Sequence, residues 1–117
     1  MAIGVNSVSI GTCTAGQITV TANVGFPSGA INKEVKAIII NSAGAPVSPL
    51  FVLSNVAGDD YVGSVSGVPG GGPYKAKVYA SWMVPGDSNK TSTNTSSCPL
   101  PPPPPPLPPP PPAISKK

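Results

Sequence analysis

Ile18-Thr19-Val20-Thr21-Ala22-Asn23-Val24 alternates apolar and polar residues without a slip. A period of two sends Ile18, Val20, Ala22 and Val24 to one face of an extended chain and the polar residues to the other, which predicts a half-buried strand. Farther on, Tyr74-Lys75-Ala76-Lys77-Val78-Tyr79-Ala80-Ser81-Trp82 repeats the pattern, with an aromatic at each end of the inward face. Between these two, residues 35–40 form an apolar run rich in β-branched side chains, closed by Asn41-Ser42-Ala43-Gly44. That run predicts a strand buried on both faces. Residues 50–53 come after Pro46 and Pro49, which suits an edge strand or a loop. Residues 61–65 lie between Gly58-Asp59-Asp60 and Gly67, and Thr91, Thr93 and Thr95 alternate as a last polar strand would.

The opening segment has a change of parity. Ile3 and Val5 share one, Val8 and Ile10 the other, so a bulge near Asn6-Ser7 is expected to turn both pairs inward. Seven short strands separated by turn signals predict an all-β chain folded as a sandwich.

Composition narrows the function. The chain has 117 residues, of which 9% are charged, with no Arg and no His. Histidine-dependent active sites are excluded, and so is bidentate arginine recognition of phosphate or guanine. The net charge of +3 rests on seven scattered lysines, and nucleic-acid binding is not expected. Residues 1–10 lack the basic and apolar regions of a secretory signal. No stretch approaches the ~20 apolar residues of a membrane span.

Asp60-Tyr61-Val62-Gly63, with Gly72-Pro73-Tyr74-Lys75-Ala76-Lys77-Val78 after it, resembles strands E and F of the immunoglobulin-like β-sandwich domains of bacterial and phage surfaces. Tyr74 stands where such domains carry the tyrosine corner. The resemblance spans residues 1–98 by pattern, but strands B and F lack the antibody cysteines and Trp82 falls late on strand F. It implies that the first and last strands run parallel, bringing Cys13 and Cys98 to one pole, where a disulfide would close nearly the whole domain and anchor the C-terminal tail. From the residues alone, two unpaired thiols in a reducing compartment stand as the alternative.

That tail has an unusual composition. Residues 99–117 hold twelve of the eighteen prolines, Pro99 and eleven more in runs 101–106 and 108–112. Proline lacks an N–H and has φ near −65°, so such a run predicts polyproline II at about 3.1 Å per residue, roughly 40 Å for the fourteen residues 99–112. The expected fold is therefore a β-sandwich of about seven strands, residues 1–98, immunoglobulin-like as the resemblance implies, with an extended polyproline II arm, residues 99–117. A stiff arm loses little entropy on docking. Pro99, Leu100, Pro101, Pro106, Leu107, Pro108, Pro112 and Ile114 are the candidate partner-binding residues.

Chemistry is sparse elsewhere. The expected loops 25–32, 54–60 and 83–89 would gather Asp59, Asp60 and Asp87, a possible calcium set, although Gly58-Asp59 and Pro85-Gly86-Asp87 read better as turns. Phe26 and Met83 at that pole would form an apolar patch or cap the core. Gly70-Gly71-Gly72 between two strands reads as a flexible turn rather than a phosphate loop. No catalytic, cofactor-binding or metal-binding residue is assigned, and no cofactor is expected. The sequons Asn89-Lys90-Thr91 and Asn94-Thr95-Ser96 matter only in a glycosylating pathway.

Together these features point to a non-enzymatic structural protein, a phage virion decoration or capsid cement protein. Its arm would grip the major capsid protein or neighbouring copies within an oligomeric assembly, with neither nucleic acid nor membrane as partner. The alternatives are a proline-motif ligand for SH3, EVH1 or profilin-like modules, and an extracellular filament or cell-wall subunit.

Overall fold

The computed structural model describes residues 3–83, 85–100 and 105–110. Among these residues nine strands fold into two antiparallel sheets. The first sheet is ordered β1 (Gly4–Ile10), β2 (Ile18–Gly25), β6 (Asp60–Val65), β5 (Ser54–Ala57). The second is ordered β4 (Phe51–Val52), β3 (Ile31–Ile40), β7 (Gly71–Met83), β8 (Gly86–Thr91), with β9 (Ser96–Cys98) also paired to β7. There is no helix among the described residues.

Alternation builds the core. Ile18, Val20, Ala22 and Val24 from β2 meet Val35, Ala37 and Ile39 from β3 and Ala76, Val78 and Ala80 from β7, all buried in one cluster. Their polar neighbours point outward, as in a sandwich whose two inner faces interdigitate. Tyr74 closes one end of the inward row on β7, and half-buried Trp82 packs at the other.

Several expectations are corrected. Residues 35–40 are not buried on both faces: Val35, Ala37 and Ile39 are inside, whereas Lys36, Ile38 and Ile40 lie half-exposed on the outer face of the second sheet. The bulge at Asn6 is present, with the register shifting between Val5 and Ser7, and Val5, Val8 and Ile10 are buried. Ile3 stays 61% exposed, because Gly4 at φ +105° breaks the alternation ahead of the strand. Residues 54–57 and 86–89, read as parts of loops, belong to strands β5 and β8, the latter running on to Thr91. The expected strand through Thr93 and Thr95 is instead the connection between β8 and β9. Buried Ser92 shapes that connection: its hydroxyl accepts from the Ala76 N–H (3.1 Å) and donates to the Asn94 carbonyl (2.9 Å).

The two open sides of the sandwich close differently. On one side β1 runs parallel to β8 and to the segment before β9, joined by side chains in place of a backbone ladder. The Val5 N–H donates to Ser88 Oγ (3.0 Å), the Ile10 N–H donates to Asn94 Oδ1 (3.1 Å), and Asn94 Nδ2 donates to the Ile10 carbonyl (2.8 Å). The Asn94 amide thereby ties β1 to the connection ahead of β9. On the other side the chain passes from β4 in one sheet to β5 in the other through the single buried residue Leu53. Gly63 admits this crossing, since a Cβ there would stand 2.5 Å from the Val52 carbonyl oxygen.

Candidate docking site at the root of the arm

The arm leaves the sandwich from a corner built by three backbone segments. The first is the turn after β1, where Thr14 and Gln17 bond each other's backbones (2.9 Å both ways) and Ala15 takes a left-handed φ of 52°. The second is residues 66–70 between β6 and β7, tied to the first by the Val68 N–H donating to the Gly16 carbonyl (2.9 Å). The third is β9, whose Cys98 lies opposite Gly71 and whose Ser96 lies opposite Tyr74.

Glycine is required where these segments touch. A Cβ at Gly72, which has φ +140°, would lie 2.6 Å from Ser97 Oγ, and one at Gly70 would lie 2.9 Å from the Pro99 carbonyl oxygen. The triglycine is therefore not a flexible turn. Gly71 and Gly72 belong to β7 and pair with or abut β9, while Gly70 abuts the first arm residues, Pro99 and Leu100.

Two anchors lock the corner. The Tyr74 hydroxyl donates to the Pro69 carbonyl (2.9 Å), pinning the loop ahead of β7 to the strand's first inward side chain. Cys13 and Cys98, both buried, form a disulfide with Cα atoms 5.0 Å apart across 85 residues of sequence. The covalent clamp thus sits immediately before Pro99.

Beyond the clamp the described candidate residues turn to solvent. Pro99 is exposed, and Leu100 is 71% exposed beside Gly70. Pro106, Leu107 and Pro108 are exposed and outside any helix or strand, with Leu107 at 91%. Pro101, Pro112 and Ile114 lie outside the described residues.

At the opposite pole Phe26 packs edge-on against Trp82 (centroids 5.6 Å apart) and Tyr61 (6.1 Å), with Lys33 Nζ 5.5 Å from its ring centre. Phe26 thus caps the core, whereas Met83 remains exposed. The three aspartates do not converge. Asp59 sits in the β5–β6 turn, Asp60 begins β6 and accepts from Asn23 Nδ2 (3.1 Å), and Asp87 lies in β8 opposite Ser81. Among the described residues no three acidic or cysteine side chains group to hold a metal.

Partial burial and the neighbouring Asp59 raise the Tyr61 phenol above its ordinary value of 10.0, against a lowering hydrogen bond from Asn55. Because the folded value exceeds the unfolded one, this contribution to stability is complete below pH 10.0 and is lost as pH rises through the folded value. Ultraviolet titration should show the Tyr61 phenol ionising above the unfolded tyrosine range, and Asp59→Asn should bring it down. An unchanged titration in that variant would remove Asp59 as a cause.

No protein-family model, curated protein or solved structure matches this chain.

Proposed function

We propose that this protein is a non-enzymatic structural protein, an immunoglobulin-like sandwich that serves as a phage virion decoration protein and docks through its proline-rich arm. The strand order β1-β2-β6-β5 against β3-β7-β8 corresponds to the ABED and CFG sheets of immunoglobulin domains, with β4 added at an edge. The hydrogen bond from Tyr74 to Pro69 supports the same reading, since the tyrosine corner bonds backbone a few residues upstream.

The observation that carries the functional reading is the clamp at Cys98. A three-residue strand peels easily when its end is pulled, but the Cys13 bridge passes tension on the arm into the closed core. An arm whose root is so held, and whose leucines face solvent, suits a tether to a larger body. Proline runs have few donors of their own, so apolar contact and low ordering entropy would supply its affinity.

Among the described residues every member of the hydrophobic core lies between Val5 and Cys98, so removal of residues 99–117 should leave the sandwich folded. That deletion should abolish occupancy on assembled capsids while circular dichroism stays that of a β protein. Retained occupancy would overturn the arm's role. Light scattering of the two forms would separate a self-joining arm, which oligomerises only the full chain, from one that grips a different molecule. The disulfide also suits a second reading, an extracellular filament or wall subunit, because such bridges persist in oxidising surroundings.

A further inference from the structure

The charge distribution is one-sided in a way the proposed arm does not explain. Among the described residues all five lysines, Lys33, Lys36, Lys75, Lys77 and Lys90, lie on the sheet that contains β3, β7 and β8. The opposite sheet carries none and presents Thr19, Thr21 and Ser64 on its outer side.

Register places three of these lysines on one outer face. Ile40 lies opposite Lys75, Ile38 opposite Lys77, and Lys36 opposite Tyr79, while Ala37, Ile39, Ala76 and Val78 between them point into the core. The outer face is thus a lattice of Lys36, Lys75 and Lys77 interleaved with Ile38, Ile40 and Tyr79, extended at the edge by exposed Val52 opposite Lys36. Lys36 has Glu34 at 3.9 Å, the one ion pair among the described residues. Lys77 sits over the Tyr79 ring at 5.3 Å, and neither Lys75 nor Lys77 has a carboxylate partner among the described residues.

This face also has a recess. A cavity of ≈ 340 Å³ opens at its arm-root end, lined by Ile40, Asn41, Gly44, Pro73, Lys75 and Thr95 among others. An apolar side chain entering it would bring a neighbouring carboxylate to Lys75.

We propose that the outer face of β3 and β7 is a second docking surface, and that its partner is an acidic protein surface presenting carboxylates around an apolar side chain. Glu34 and Asp87 stand opposite Ser81 at the far end of this face, so its cationic part is the end with Lys75 and Lys77. That end favours an anionic partner, and the half-exposed Ile38 and Ile40 between the lysines favour protein over nucleic acid, whose phosphates cannot cover them. A second copy of this chain is a poor match. It has four carboxylates in all, and Asp60 is the single charged residue in the strands of its other sheet. The surface and the arm root share one end of the sandwich, so one partner body can engage both.

The test is an NMR titration of the full-length, isotope-labelled protein with a synthetic peptide of alternating Glu and Leu, beside a DNA duplex of equal charge. The peptide should perturb the amides of Ile38, Ile40, Lys75, Lys77 and Tyr79 and bind more tightly than the duplex. Lys77→Glu should weaken it about tenfold, and Lys75→Glu similarly. Lys90→Glu carries the same charge change but stands opposite inward-facing Val78 on edge strand β8, and should stay within about twofold. Equal weakening by Lys90→Glu, equal affinity for the duplex, or perturbations spread over all lysines would overturn the surface. The inference rests on attachment to another body but not on the arm. Failure of the arm reading appears as retained capsid occupancy after deletion of residues 99–117, a result these amide perturbations do not depend on.

Discussion

Replacing Cys13 and Cys98 together by serine should lower the stability of the sandwich by about 4 to 5 kcal/mol, the largest effect expected of any small change in this protein. The bridge spans 85 residues. A loop of that length restricts the unfolded chain over nearly the whole domain, and the chain-entropy contribution grows with the logarithm of loop length. The folded state has little with which to replace it. β9 has three residues, and its pairing with β7 is irregular between Gly71 and Tyr74. In urea the serine variant should unfold at a much lower midpoint and with a steeper slope, because its unfolded chain expands further without the bridge, and its melting temperature should fall by about 20 °C or more. A loss under about 1 kcal/mol would mean that Tyr74, Val68 and the glycine contacts hold the corner without covalent help. The serine variant should also release β9 before the rest of the sandwich, seen as early exchange of the Cys98-side amides.

Ile39→Ala should cost about 2 to 5 kcal/mol, while Ile38→Ala, one residue away, should cost less than about 1 kcal/mol. Ile39 is fully buried at 0% exposure, central to the core on β3, and its N–H donates to Ser48 Oγ (2.9 Å), so the backbone around it cannot easily collapse into a vacancy. Truncation therefore removes the transfer free energy of the lost carbons and leaves most of their volume empty. Ile38 projects from the other side of the same strand and is half-exposed. Denaturant midpoints of the two variants test the assignment. Equal losses would restore the reading of 35–40 as buried on both faces, whereas Ile38→Ala with near-native stability and weaker peptide binding would support the docking surface.

Ile38-Ile39-Ile40 shows where local reading stops. Three identical side chains carry no alternation, and a continuous apolar run is equally consistent with burial on one face or both. Only the absence of a further layer over β3 and β7 among the described residues turns Ile38 and Ile40 outward. The strands β5 and β8 were hidden for the opposite reason. Ser54-Asn55-Val56-Ala57 and Gly86-Asp87-Ser88-Asn89-Lys90-Thr91 have no apolar face, so their extension comes from hydrogen bonding to β6 and β7 rather than from burial. Ser88 and Asn94 read as ordinary polar residues, and nothing local marks them as the side chains that tie β1 to β8 and to the connection ahead of β9.

Residue spacing along the chain was enough to establish the all-β class, the inward rows of β2 and β7, and the bulge at Asn6, because side-chain direction in a strand reverses at every residue and apolar spacing reports it directly. How the edges close, that the aspartates stay apart, and that Lys36, Lys75 and Lys77 share a face with two isoleucines emerged only with the assembled sheets. Those features depend on register between strands distant along the chain. Register is set by the packing of the two sheets as a whole, and no local stretch encodes it.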